Sequence, residues 1–562
     1  MKEKRNIFIC LVFLSICWVY MWGVCANPFQ VSCFKYAGWG DHLMSYLGWI
    51  SYAKDTNTDL FSRSFSGWTW PVSSEILYAD TIPILSIILK PLFNLFRVEF
   101  QYFSIASLVN LLATYYCGLL IGKHFKIKIG LSSLLGILLA LSPIATIRIT
   151  GHEALSLHFL IVYPITLLII RSVNNIRWSF LMFVSLGTHA YFFPIILVLK
   201  ICSSCYYFGN NFLERRNLSI LVIKDIFITV CSVAFSLYAF GYIGNSFSST
   251  KNDELWSANL IALIDPQDYS LIFNRLNIIR PYQWEGYSYL GVLFIILLTI
   301  AIIIKIKEKK VDIAIFPERS SYYFILLLFL LVAIGSPIYF GKNLIVEKSI
   351  LMYPGSFLNI FRATGRFMWP IYYSLVIWSF ITIVKRINYK TMLTNIFIIL
   401  VLLLMTENHF FVLNDLRNQM NLHYISGQNY KKEINDSQIA KLLFENNYFI
   451  NATGNPLYLS SSIPSLMPQS VNTNIMTNYY PRFARKNNNF IDLYSQEPCK
   501  ILTDVFDQVD DDILSSTLIL MENKYIENCN SYKFNQKLQL PNENVSIFSL
   551  SRKEIPNNLL IN

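Results

Sequence analysis

Eleven apolar runs separated by short basic clusters constrain this chain more than any other feature. They occupy residues 7–26, 100–121, 129–147, 157–171, 178–191, 192–208, 218–240, 289–305, 322–340, 367–384 and 391–411. A helix needs about 20 predominantly apolar residues to cross a bilayer, and the runs meet or approach that length. Lys and Arg gather between them, as KEKR at 2–5, KHFKIK at 123–128, RSVNNIR at 171–177, ERR at 214–216, KIKEKK at 305–310 and KRINYK at 385–390. With the N-terminus inside, successive crossings put all these clusters on the cytoplasmic side, as the positive-inside rule requires. The arrangement holds only if ILYADTIPILSIILKPLFNLF, residues 76–96, does not cross. Pro83, Pro91 and Asp80 make it a poor simple span, and it reads as a re-entrant or juxtamembrane segment packed on protein. The expected fold class is a polytopic α-helical membrane protein with about 11 transmembrane helices.

Composition agrees. Only 14% of the 562 residues are charged and 54% are hydrophobic, against about 25% charged in soluble domains. The net charge of +11 sits in the inter-run clusters that orient helices, which excludes nucleic acid as the partner. The first run is longer than a signal-peptide core, and CANPF is a poor cleavage site, so it is expected to stay as the first helix.

The long polar stretches all fall on the outer side: 27–99, 148–156, 241–288, 341–366 and the tail. This gives a transmembrane domain over 1–411, with a first outer loop at 27–99, and an extracytoplasmic C-terminal domain over 412–562. The tail has β-like runs at 456–460, 517–521 and 545–550 and a helix-like stretch at 436–447. Its length suffices for a domain, expected to be mixed α/β. Cys499 and Cys529 are its two cysteines, and an oxidising compartment lets them pair. The Cys202–Cys205 pair lies in an apolar run, where cysteine packs as a small hydrophobe.

The outer loops share a chemistry. The first carries Asp41 and His42, then Trp68, Trp70, Glu75 and Asp80. The second, RITGHEALSLH, carries Arg148, His152, Glu153 and His158. His189 lies in GTHAYFFP, Asp265 in NLIALIDP, Glu285 in YQWEGYSYLG, and Arg362 with Arg366 in FRATGRFMWP. Ionisable residues at membrane depth are costly, and so are functional candidates. Each alone is also compatible with helix packing or a headgroup anchor; their convergence on one face points to a site. Arg362 and Arg366 are spaced i,i+4, which on a helix presents two guanidiniums to one phosphate or diphosphate. Trp68, Trp70 and Trp284 suit either a sugar platform or the interfacial belt. His152 and His158 are not at helical ligand spacing. The sequence has no nucleophile elbow, Walker loop, HExxH or dinucleotide turn.

The stretches GDHLMSYLGW, YADTIPILSIILKPL, EFQYFSIASLV, LSPIATIRITGHEALSLHFLI, THAYFFP, ANLIALIDP, WEGYSYLG and FRATGRFMWP, in order from about residue 38 to 370, resemble a family of bacterial integral membrane proteins of uncharacterised function with a GT-C glycosyltransferase-like fold. The resemblance implies a GT-C-like bundle in the inner membrane, with a cytoplasmic N-terminus and a periplasmic C-terminal domain. It implies transfer of a sugar from a polyprenyl-phosphate donor to a lipid-linked or surface glycan acceptor, such as O-antigen. By the same resemblance Asp41 is the general base with His42 beside it. Arg148, Arg362 and Arg366 hold the donor phosphate. Asp80, His152, Glu153, His158, His189, Glu285, Trp68 and Trp70 bind or orient substrate. The second acidic motif common in GT-C enzymes stands here as Gly-His-Glu, 151–153, which leaves a divalent metal open and no cofactor certain. Two other readings stay open: a transporter or flippase for a lipid-linked glycan, and a non-catalytic protein of envelope glycan assembly. A transporter places its charges near mid-bilayer, in broken or repeated helices, whereas here they lie at one face.

Overall fold

A computed structural model of the chain describes residues 2–35, 41–55, 62–65, 74–79, 81–172, 174–211, 218–243, 256–276, 281–307, 319–335, 337–347, 361, 363–387 and 391–435, together with strands at 448–451, 472–474, 517–522, 532–539 and 545–552. The protein is a mostly helical membrane protein. Each of the eleven apolar runs contains a helix, beginning with Lys2–Trp22 and ending with Thr391–Met405. Among the described residues, five helical stretches are long and apolar enough to cross a bilayer: Glu3–Ala26, Phe103–His124, Ile129–Thr146, Val222–Ala239 and Thr364–Ile387. Other apolar helices are shorter, and breaks also fall within the runs. Pro143 ends the run at 129–147 as Ile129–Ala140 and a separate turn, Pro143–Thr146, because proline lacks the donor and clashes with the preceding turn. The run at 322–340 is a helix only to Ile334. It then passes into an antiparallel hairpin, Ile338–Phe340 with Asn343–Val346.

The chain divides into two compact units. The first comprises residues 1–28, 102–240 and 247–420, and the second residues 29–101, 241–246 and 421–562. The core of the first is helix on helix. Trp18 and Trp22 of the first helix donate to the Ser104 carbonyl and the Ser107 hydroxyl at 2.8 and 2.7 Å, so each indole N–H finds an acceptor away from water. Small residues at 118, 122 and 136 let Phe103–His124 and Ile129–Ala140 approach closely, the usual packing device within membranes.

In the second unit the helix Asp41–Lys54 packs on the helix Pro83–Phe96. The Trp49 indole donates to the Phe100 carbonyl at 2.8 Å, and Lys54 pairs with Glu99 at 2.6 Å. Pro83–Phe96 has 14 residues, about 21 Å at 1.5 Å per residue, too short for a hydrocarbon core of about 30 Å. Ser86, Lys90 and Phe93 are buried, whereas Ile88, Leu92, Leu95 and Phe96 are exposed. The tail strands form a five-stranded mixed sheet in the order 472–474, 448–451, 517–522, 545–552, 532–539. Its first three strands run parallel and the rest antiparallel. The expected strands at 517–521 and 545–550 are both present. The stretches 436–447 and 456–460, with Cys499 and Cys529, lie outside the described residues. Cys25 and Cys33 are disulfide-bonded, while Cys202 and Cys205 are free.

Candidate functional site

Three non-helical turns at the ends of apolar helices bring the main charge cluster together. The turn after Pro143–Thr146 carries Arg148. The 3-10 turn Pro281–Gly286 carries Glu285, and the 3-10 turn Thr364–Met368 carries Arg366. The last two meet backbone to backbone. A Cβ on Gly365 would stand 2.7 Å from the Gly286 Cα, and one on Gly286 would stand 2.7 Å from the Ala258 Cα. Only glycine permits this approach, so the Glu-Gly and Gly-Arg dipeptides of the sequence place their acid and base on adjoining turns.

Glu285 is fully buried and occupied on both oxygens. Arg366 donates to it twice, Nε to Oε2 at 3.0 Å and Nη2 to Oε1 at 2.8 Å. Arg148 Nη1 donates to Oε2 at 2.9 Å, and its Nη2 to the Glu285 carbonyl at 3.0 Å. His152 Nε2 lies 3.7 Å from Oε1. Aromatic faces complete the cage. Arg148 sits over Trp284 at 4.7 Å and Trp369 at 5.6 Å, and Arg366 over Tyr191 at 4.4 Å; such stacking suits guanidinium better than ammonium. Burial alone would raise the Glu285 carboxyl, but Arg366 and then Arg148 outweigh it and hold it well below the usual carboxylate range. Among the described residues, two guanidiniums therefore face this one carboxylate, with His152 beside them. The cluster has an open lip, since Trp284 is exposed and His152 partly so. Their rings stack 11° from parallel at 6.0 Å.

The expected residues fall into three groups. Arg148, His152, Glu285 and Arg366 are brought together, with the arginines already engaged by Glu285 rather than left as a free clamp. His158 and His189 lie around them. His158 Nδ1 is 2.9 Å from the Tyr373 hydroxyl, with its ring 4.5 Å from that of Trp369. His189 Nδ1 accepts from the Tyr191 N–H at 3.3 Å. Glu153 opens the buried 3-10 turn Glu153–Ser156. The other group belongs to the second unit or lies beyond description. Asp41 begins the helix Asp41–Lys54. His42 is buried and stacked on Phe34 at 4.1 Å. Burial pushes its imidazole down to about 3, opposed by a backbone hydrogen bond at Cys33. Arg362, Trp68, Trp70 and Asp80 lie outside the described residues, so the i,i+4 pairing of Arg362 with Arg366 does too.

Several residues of consequence were missed in the sequence. Glu407 is buried and accepts from the Ser270 hydroxyl, the Tyr289 hydroxyl at 3.1 Å and the Val292 N–H at 3.0 Å. Its signal is an acid closing the last apolar run. Lys200 and Asp225 pair at 2.6 Å between Phe192–Asn211 and Leu218–Ala239, with Asn175 and Ser204 as further partners. Their signal is charge inside two neighbouring apolar runs, Lys200 in the first and the Lys224–Asp225 dipeptide in the second. Asp415 and Gln419 are i,i+4 on the helix His409–Asn435; Gln419 accepts from Thr150, in the turn that carries Arg148 and His152, and donates to Asp415. No group of three or more His, Cys, Asp or Glu side chains forms a metal-type cluster among the described residues.

A family described as a domain of unknown function, DUF6311, matches residues 9–406. No curated protein matches the chain.

Proposed function

The chain belongs to the DUF6311 family, and for that membrane part we propose a GT-C-type glycosyltransferase of about 11 transmembrane helices that moves a sugar from a polyprenyl-phosphate donor to a periplasmic or surface glycan. The N-terminus is cytoplasmic and the outer loops and tail are periplasmic. The observation that carries the reading is the pair of guanidiniums, Arg148 and Arg366, on Glu285, caged by aromatic rings beneath the exposed Trp284–His152 lip. A phosphate leaving group needs cationic stabilisation in a water-poor site. Trp284 offers a flat apolar face for a sugar ring beside it. Glu285 keeps the two guanidiniums from repelling one another until an anion shares them. A polyprenyl chain needs an apolar groove, of the kind that a helix bundle can provide. The disulfide-bonded Cys25 and Cys33 support an oxidising compartment beyond the first helix.

The test is genetic and chemical. In the native host deleted for this chain, wild type, Arg148→Ala and Arg366→Ala are expressed at equal membrane abundance, and envelope glycans are read by mass spectrometry. Loss of a sugar in the deletion, restored by wild type and not by either variant, is the expected result. Identical glycans in all four strains would sink the reading. One observation favours a second reading, transport of a lipid-linked glycan: Lys200 and Asp225 are charges paired within apolar helices, the place where transporters keep theirs. In that case Lys200→Met with Asp225→Leu abolishes appearance of the glycan outside while assembly continues inside.

A further inference from the structure

Resting on the transfer reading, we propose that Asp415 is the general base of this site: the carboxylate that takes the proton of the acceptor hydroxyl. Neither the motifs nor the GT-C resemblance points to it. Three observations do.

The first is a chain of hydrogen bonds into the charge cluster. The Thr150 hydroxyl donates to Gln419 Oε1 at 2.7 Å, and Gln419 Nε2 donates to Asp415 Oδ2 at 2.7 Å. Thr150 lies in the same turn as Arg148 and His152. Gln419 thus fixes the carboxylate against the turn, as the orienting partner of a catalytic base must. The second is availability. Four buried acids of this unit are engaged, among the described residues: Glu285 by Arg148 and Arg366, Glu407 by three donors, Asp225 by Lys200 and Ser204, and Asp265, through one oxygen, by the Gln267 and Leu276 N–H groups. Asp415 is half-buried and accepts one hydrogen bond, from Gln419, among the described residues. The third is electrostatic proximity. Burial raises the Tyr269 phenol; Asp415 adds to that rise and Arg148 opposes it, so Tyr269 lies within reach of both. Burial also lifts the Asp415 carboxyl itself above the ordinary aspartate value, with Gln419 pulling the other way. A more basic carboxylate is the better proton acceptor.

In the step, the acceptor oxygen attacks the anomeric carbon. The bond from that carbon to the phosphate oxygen breaks, its electron pair leaving with the phosphate. The hydroxyl proton moves to Asp415 and from there to water.

The test uses full-length protein in nanodiscs, a short-chain polyprenyl-phosphate hexose as donor and the host's envelope glycan as acceptor. Asp415→Asn is expected to lower kcat by roughly 10²–10⁴-fold with donor KM little changed, and to remove the acid limb of the pH profile. Asp415→Glu is expected to recover part of the rate with the limb displaced. Wild-type kcat in Asp415→Asn, or an acid limb that vanishes in Asp41→Asn instead, would overturn the assignment while leaving the transferase reading intact. If Asp415→Asn fails to reach the membrane, the Glu variant decides: an unmoved limb overturns. If wild type transfers nothing, the transfer reading falls, and dicyclohexylcarbodiimide labelling mapped by mass spectrometry judges the carboxylate. An adduct at Asp415 that polyprenyl phosphate prevents supports a proton-exchanging group at this mouth; no adduct overturns it.

Discussion

At Glu285 one carboxylate holds two guanidiniums away from water and lies near a half-buried histidine. Removing one partner of a buried ion pair costs about 3–5 kcal/mol, because the remaining charge is left uncompensated. Glu285→Gln keeps the size and loses the charge, so its thermal midpoint in detergent should fall well below wild type; an unchanged midpoint would show that the arginines find other partners. Because the folded carboxyl titrates below its usual range, its contribution is complete above the unfolded value of about 4.3 and is lost as pH falls toward the lower folded value. Acidification below about pH 4 should therefore weaken wild type and not Glu285→Gln. His42 behaves in a different window. Its imidazole stays neutral in the fold down to about 3, whereas the unfolded chain protonates near 6.5. Its contribution is complete above that unfolded value and drains away between about pH 6.5 and 3. His42→Phe, which can stack on Phe34 in its place, should flatten the stability profile in that window, measured by unfolding midpoint against pH. A profile that keeps its slope assigns the loss to other groups.

At the scale of elements, the site depends on turns rather than helices. Helices supply apolar faces and end where Pro143 or the glycine after Ile334 stops them; Glu285 and Arg366 sit in 3-10 turns and Arg148 in the turn after Pro143–Thr146. Gly365 and Gly286 let two such turns touch. A Cβ placed 2.7 Å from backbone forces a shift that typically costs 1–3 kcal/mol. Gly365→Ala should thus lower the unfolding midpoint and part Arg366 from Glu285, with Gly151→Ala, which meets nothing within 4 Å, as the matched control. Equal midpoints for the two variants would refute the close-approach account. The helix Pro83–Phe96 shows the complementary case. Its polar Ser86 and Lys90 face protein and its apolar Ile88, Leu92, Leu95 and Phe96 face outward, the pattern of a helix lying along an apolar boundary.

For the whole molecule, sidedness is the testable property. The proposed topology puts the basic clusters inside and the tail outside, so a reporter active only in the periplasm and fused after Asn562 should be active. Cys25 and Cys33 should resist alkylation until reduced, while Cys205 and Cys231, exposed and free, react whenever reagent reaches them. A cytoplasmic reporter working at the tail would reverse the topology and with it the face on which the site lies.

The helical membrane class was legible from the sequence because it rests on local quantities: run length, the scarcity of charge and the spacing of Lys and Arg. The residues of the central cluster were legible as well, since Arg148, His152, Glu285 and Arg366 are charges at the edges of apolar runs, where charge is expensive. What those charges do to one another was not. Arg148 and Glu285 are 137 positions apart, and nothing along the chain shows that the two arginines expected at a donor phosphate also meet on this carboxylate. Arg366 stands in a 3-10 turn, and Arg362, its i,i+4 partner by spacing, lies outside the described residues. Asp415 carried no signal in the sequence; only the hydrogen bonds through Gln419 to Thr150 tie it to the Arg148 turn. Hydrophobic periodicity is written along the chain and survives without tertiary structure; the partner of a buried charge is set by which turns the packed helices bring together, and only the folded chain decides that.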